Sequence, residues 1–258
     1  MILALDVGNS NIVFGGIESS KAAFVTRITT DTRKTEDEYA VILKTLIELN
    51  NFAPENFKGA IISSVVPQLN NVLKKAIKKV ISKTPMIVGP GIKTGLNIKI
   101  DNPAQLGSDV VVGAVAAIAE YPKPLMVIDM GTATTICAIN KNSDYLGGII
   151  FPGVKVSMES LTKNAALLQG ISLEAPKKAI GTNTIDSMRS GIVYGNAAMI
   201  DGLIDRMSKE LEGDITVIAT GGLSSSIVPY CKHKITIDQE LLLKGLKIIY
   251  DKNADKNK

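Results

Sequence analysis

The sequence predicts an α/β protein built from two related halves, and three observations carry that prediction. The first is that Asp6-Val7-Gly8-Asn9-Ser10-Asn11 lies between two apolar runs, Ile2 to Leu5 and Ile12 to Phe14. The second is that Asp129-Met130-Gly131-Thr132-Ala133-Thr134-Thr135 lies in the same way between Leu125 to Ile128 and Ile136 to Ile139. Each reads as a strand, a tight turn and a returning strand. The third is spacing: the two aspartates stand close to half of the 258-residue chain apart, as expected of a duplicated domain.

In the first half, strands are expected at Ile2 to Val7, Ile12 to Gly16 and Ala22 to Thr29. A helix begins near Thr35, where Thr35 and Glu38 have capping-box spacing and Tyr39, Ile42, Leu43, Leu46 and Leu49 form an apolar stripe. A buried strand follows at Ala60 to Val65, then a helix opened by Pro67 and running to about Ser82, then a short strand at Met86 to Val88. Gln105 to Glu120 reads as a helix bridging the halves, and Pro122-Lys123-Pro124 as the linker. The second half opens with strands at Leu125 to Met130, Thr135 to Asn140 and Tyr145 to Phe151. Helices at Val154 to Leu168 and Ser187 to Leu211 follow, then a strand at Ile215 to Thr220, a helix after Gly222, a strand near Lys234 to Ile237 and a last helix from Gln239 to Tyr250. Hairpins followed by crossover helices, made twice, predict two α/β domains, 1–121 and 122–258, with a cleft between them.

Composition narrows the function. The hydrophobic content of 45% suits a soluble globular protein with a sizeable core. The net charge of +4 comes largely from helix lysines such as Lys74, Lys75, Lys78 and Lys79 and from the tail Asp251 to Lys258, with few aromatics interleaved, which argues against nucleic acid as a partner. Cys137 and Cys231 lack paired spacing and read as buried thiols of a reducing, cytoplasmic compartment. The start meets an acid after five residues and reads as a first strand, not a signal peptide, and no apolar run is long enough for a membrane span. His233, the single histidine, stands between lysines and reads as a surface residue, so acid–base chemistry falls to carboxylates.

The two turns have the residues that hold phosphate: glycine for close backbone approach, Asn, Ser and Thr as donors, and a leading Asp that can meet a cation. A lone Asp ending a buried strand could equally cap its own turn; two at equivalent places favour phosphate and metal handling. Ala219-Thr220-Gly221-Gly222-Leu223-Ser224 is a third strand-to-glycine turn, suited to a base or ribose lying against bare backbone. Gly89-Pro90-Gly91-Ile92-Lys93-Thr94-Gly95 has glycines, Lys and Thr but not P-loop order, and reads as a connection bordering the cleft. Asp109, in Gly107-Ser108-Asp109-Val110, falls in the first turns of the bridging helix. There it is either a dipole-complementing acid or the base for an alcohol attacking a γ-phosphate. Gly181-Thr182-Asn183-Thr184-Ile185-Asp186-Ser187 opens the long helix, with Thr184 or Ser187 as the expected cap and a small acidic ligand as the functional alternative.

The ordered set of these motifs, with Gly147-Gly148-Ile149-Ile150-Phe151-Pro152-Gly153, resembles the type III pantothenate kinases over nearly the whole chain. The family lies within the acetate and sugar kinase and actin superfamily, so the resemblance implies two duplicated ribonuclease H-like, actin-like ATPase domains. It implies ATP-dependent phosphorylation of pantothenate to 4′-phosphopantothenate, the first step of coenzyme A synthesis. By the same resemblance Asp109 is the base. Asp6, Val7, Gly8, Asn9, Ser10, Asn11, Ile12 and Val13 form the ATP phosphate clamp, with Mg2+ or another divalent cation near Asp6. Asp129 binds K+ or NH4+, Thr132, Gly221 and Gly222 meet ATP, and Gly107, Ser108, Asp109, Val110 and Thr184 meet pantothenate. A homodimer is implied as well. Two positions depart from the family pattern on the acceptor side: Val110 stands where Arg is usual, and Ile100 where Tyr is usual. Losing Arg removes a multidentate cation suited to a carboxylate. A related sugar or small-alcohol kinase and a non-catalytic nucleotide-binding regulator remain the alternatives, and Asp109 is the residue a pure binder would not need.

Overall fold

The computed structural model describes residues 1–19, 21–164 and 171–254. In chain order, β1 (Ile2–Val7), β2 (Asn11–Glu18) and β3 (Lys21–Thr29) precede α1 (Glu36–Leu49), β4 (Ala60–Ser64), α2 (Pro67–Ile81) and β5 (Met86–Ile87). Next come β6 (Asn97–Ile98), α3 (Ser108–Glu120), β7 (Leu125–Met130), β8 (Ala133–Ile139) and β9 (Asp144–Pro152). The described chain closes with α4 (Val154–Asn164), α5 (Thr184–Met207), β10 (Thr216–Thr220), α6 (Ser224–Ile227), β11 (Thr236–Ile237) and α7 (Leu241–Ala254).

Two sheets result, with the strands in the order β3-β2-β1-β4-β5 and β11-β10-β7-β8-β9-β6. Read from the other edge, the second repeats the first, with β9, β8, β7, β10 and β11 in the places of β3, β2, β1, β4 and β5. The pairing repeats too: β1 is antiparallel to β2 and parallel to β4, and β7 is antiparallel to β8 and parallel to β10. Asp6 lies opposite Ser63 on β4, and Asp129 opposite Thr220 on β10. The duplication expected from two turns thus extends to whole sheets.

The first compact unit comprises Met1–Leu96, Asp101–Ala119 and the residues from Glu240 on. Its central strand is apolar on both faces, so its period-2 alternation feeds two separate cores. Leu3, Leu5 and Val7 pack with Tyr39, Leu43 and Ile47 of α1 and Leu69, Leu73 and Ile77 of α2. Ile2 and Ala4 face the other way, with Val112 and Val115 of α3 and Leu243, Leu246 and Ile249 of α7. α1 begins as expected: the Glu38 backbone N–H donates to Thr35 Oγ1 at 3.3 Å and the Thr35 N–H donates to Glu38 Oε2 at 2.8 Å. α3 and α7 approach so closely that a Cβ on Gly245 would stand 2.1 Å from the carbonyl oxygen of Val112.

The second unit comprises Asn97–Ile100 and Glu120–Gln239. Met126, Ile128, Met130 and Ile136 of its sheet meet Ile192, Val193, Ile200 and Ile204 of α5. Among the described residues no helix is long and apolar enough to cross a membrane.

The structure corrects several boundaries. The chain is not divided once near residue 121: the last helix returns to the first unit because its apolar stripe covers the sheet face that α1 and α2 leave bare. Asn97 and Ile98, for which no strand is expected, form β6 beside β9; two residues are too few to show an alternating pattern. The bridging helix starts at Ser108, after a short turn of 3-10 helix at Pro103–Gln105. α5 starts at Thr184 with Asn183 as its cap, in place of the expected Thr184 or Ser187. The expected reach of α4 to Leu168 lies outside the described residues.

Candidate active site

In the first unit, Val7 pairs with Ile12, leaving Gly8, Asn9, Ser10 and Asn11 as the turn. The Gly8 N–H donates to the Asn11 carbonyl at 3.0 Å. Thr30, just past β3, pins the turn from outside: its Oγ1 donates to the Gly8 carbonyl at 2.6 Å and its N–H to the Ser10 carbonyl at 3.1 Å. The loop is therefore held in place by protein alone, as a phosphate cradle requires. Val7 and Ile12 are fully buried, so what they can offer a ligand is backbone. Asp6 and Val13 are half-buried and face each other across the β1–β2 ladder.

The same unit brings Asp109 to this edge of the sheet. Ser63 and Ser64 end β4 beside Asp6 and Val7, and both bond to Ser108 at the start of α3. Asp109 follows, its Oδ1 accepting the Val110 N–H at 2.8 Å. A Cβ on Gly107 would stand 2.5 Å from that same oxygen, so only glycine leaves the carboxylate where it is. Burial pushes the Asp109 carboxyl above its ordinary value of 3.8, against the opposing pull of the Val110 N–H and its own N–H. A half-buried carboxylate with raised basicity is what proton abstraction from an alcohol needs.

In the second unit Met130 pairs with Thr134, so this turn is one residue shorter: Gly131, Thr132 and Ala133. The Gly131 N–H donates to the Ala133 carbonyl at 3.1 Å, and the Thr132 carbonyl accepts the Gly153 N–H at 3.1 Å, again a pin from beyond the third strand. Gly221, after β10, has φ +89, and a Cβ there would lie 2.6 Å from both Asp129 Oδ1 and the Met130 nitrogen. The third glycine motif thus packs bare backbone against Asp129, joining two motifs the sequence offered separately; Gly222 follows in the same turn. Ser224 and Gln239 brace that turn: Ser224 Oγ donates to the Gly221 carbonyl at 2.8 Å and accepts from Gln239 Nε2 at 2.8 Å.

Of the acceptor-side residues in this unit, Ile100 follows β6, where the Lys99 N–H donates to the Tyr145 carbonyl at 2.8 Å. Its Cγ2 would lie 3.8 Å from a Cβ on Gly147. Thr184 is exposed at the first turn of α5, relieved of capping because Asn183 Oδ1 accepts the Asp186 N–H at 2.9 Å. Sequence reasoning missed Thr30, Ser63, Ser64 and Gln239. Ser63 and Ser64 carried a readable signal, polar residues ending a buried strand, the one that drew attention to Asp6.

Among the described residues no group of three or more His, Cys, Asp or Glu side chains could hold a metal ion. The donors present are single carboxylates beside backbone turns, Asp6 in one unit and Asp129 in the other. That set fits a hard cation that takes most of its ligands from phosphate and water, as magnesium does, and not a zinc or redox-metal cage.

A family model described as type III pantothenate kinase matches residues 2–206. The chain is 47% identical to a type III pantothenate kinase of Halalkalibacterium halodurans over 98% of its own length and 100% of that protein's. It is 44% identical to one from Bacillus cytotoxicus, over 98% of this chain and 97% of that one. Among solved structures, the activator of the 2-hydroxyisocaproyl-CoA dehydratase from Clostridium difficile with bound ADPNP superposes with a TM-score of 0.59 at 11% identity, covering 99% and 96% of the two chains. MreB 5 of Spiroplasma citri bound to AMPPNP gives 0.53 at 11%, covering 99% and 97%. At such identities these two are similar in fold alone, and that fold is the two-domain actin-like ATPase one.

Proposed function

The chain belongs to the type III pantothenate kinases, and on that premise we propose that Asp109 is the base of its reaction, set on the first unit's phosphate clamp. The enzyme phosphorylates pantothenate with ATP to give 4′-phosphopantothenate, the first step of coenzyme A biosynthesis. The sugar-kinase and regulator alternatives give way to this family membership.

The observation that supports the proposal is the tie of Ser63 and Ser64 to Ser108, which fastens the start of α3, where Asp109 is the next residue, to the end of β4 beside Asp6 on β1. Asp109 takes the proton of the primary hydroxyl as that oxygen attacks the γ-phosphorus and the bond from this phosphorus to the β,γ-bridging oxygen breaks, releasing ADP. Its desolvated carboxylate is a stronger base than one in water, and its position converts an encounter into an intramolecular step. The Gly8 to Asn11 turn supplies backbone and side-chain donors to the phosphate oxygens, in a loop that Thr30 keeps from rearranging. A divalent cation carried with ATP neutralises phosphate charge, and Asp6 is the carboxylate placed to hold it or its waters. Thr132, Gly221 and Gly222 serve the nucleotide, and Asp129 the monovalent cation, K+ or NH4+. Gly107, Ser108, Val110, Ile100 and Thr184 serve pantothenate, with the Ser108 hydroxyl already committed to β4. A homodimer and a cytoplasmic location complete the proposal, the latter supported by two free cysteines, Cys137 and Cys231.

The test is phosphate transfer from ATP to pantothenate by the purified protein with magnesium, with potassium or sodium as the monovalent cation. Potassium-dependent product, formed at least about a hundredfold more slowly by Asp109→Asn, is expected. Product of equal yield in sodium removes the role given to Asp129, and wild-type turnover by Asp109→Asn removes that given to Asp109.

A further inference from the structure

The Ser108 hydroxyl has one proton and two acceptor positions, and β4 takes all three. Its Oγ donates to the Ser64 carbonyl at 3.0 Å, accepts the Ser64 N–H at 3.1 Å and accepts from Ser63 Oγ at 3.1 Å. Ser63 is fully buried on β4 and lies opposite Asp6 in the parallel β1–β4 ladder. The next residue after Ser108 is Asp109. A continuous path therefore runs from the strand bearing the phosphate clamp, through the Ser63 hydroxyl and the Ser108 hydroxyl, to the first turn of the helix bearing the base.

A buried serine near the end of an otherwise apolar strand is not required for packing: Ile61 and Ile62 before it show what the strand otherwise buries. A buried hydroxyl is unfavourable unless bonded, and here it is bonded to the group that orients the base. We propose that Ser63 is a positioning residue for Asp109: through Ser108 it sets the distance between the base and the phosphate clamp, while touching neither substrate. The inference rests on the reading of Asp109 as the base. The other half of the duplication supplies a conservative variant, since Thr220 occupies on β10 the place that Ser63 occupies on β4.

The test is steady-state kinetics of the full chain for Ser63→Ala, Ser108→Ala, the double variant and Ser63→Thr, each checked for folding by thermal melting. The expected result is a fall of about tenfold in kcat for each single alanine variant, the scale of a small misplacement of a catalytic group. In Ser63→Ala, KM for pantothenate and for ATP stays within about twofold; the double variant is little worse in kcat than either single one, and Ser63→Thr recovers most of the rate. In an Asp109→Asn background Ser63→Ala lowers the residual rate no further, because there is no base left to misplace. Unchanged kcat in both single variants, multiplicative losses in the double, or a tenfold loss that persists without the Asp109 carboxylate would each overturn the inference. Wild-type turnover by Asp109→Asn alone would instead overturn the reading on which it rests.

Discussion

Asp109 shows how one side chain's environment bears on stability and, in the role proposed for it, on rate. Its carboxyl is raised by burial, so the neutral form is favoured by the folded state relative to the unfolded chain. The stabilising contribution of that neutral form is fully present below the unfolded value near 3.8 and is lost as pH rises through the higher folded value. At neutral pH the ionised group therefore opposes folding, and Asp109→Asn is expected to melt at a temperature equal to or above the wild type while losing transfer activity. The pH dependence of kcat/KM should show an acidic limb above 3.8, placed by the same shift. Gly107 gives a second prediction. A methyl group there collides with Asp109 Oδ1, the end of a short side chain that can swing away, so Gly107→Ala should lower kcat ten- to a hundredfold while thermal melting moves little.

Among the elements, those with strong local signals match their expected ranges most closely. α1 runs from Glu36 to Leu49 because its cap, its first-turn acids and its apolar stripe agree. Removing the cap hydroxyl with Thr35→Ala should destabilise the first unit by about 1 kcal/mol in urea unfolding, with the slope unchanged. β6 is the opposite case. Two residues have no periodicity, and what makes them a strand is β9, which pairs Asn97 with Asp144 and Ile98 with Tyr145. The same holds for the start of α5, where Asn183, Thr184 and Ser187 are all competent caps and only the backbone geometry selects Asn183.

For the molecule as a whole, the duplication is the organising fact, and the last helix is where a linear division fails. α7 buries Leu243, Leu246 and Ile249 against the first sheet, each contributing about 1.5–3 kcal/mol. Their sum is comparable with the roughly 5–15 kcal/mol that keeps a whole domain folded. A chain ending at Gln239 should therefore fail to fold cooperatively, although every residue proposed for the clamp, the proposed base and both glycine turns remain in it. Calorimetry checks this: retention of the full-length melting transition would refute the assignment of α7 to the first core.

The sequence by itself determined the duplicated halves, the α/β class, the two glycine turns proposed to hold phosphate and Asp109 as the candidate base, because each is written in contiguous residues whose chemistry is local. Its resemblance to a kinase family then supplied the reaction. Only the tertiary structure decided which separate motifs meet. The packing of Gly221 on Asp129, the pinning of the first turn by Thr30 and the tie from Ser63 to Ser108, beside the proposed base, all join residues far apart in the chain. They exist because sheet register, which no local pattern states, aligns the ends of neighbouring strands.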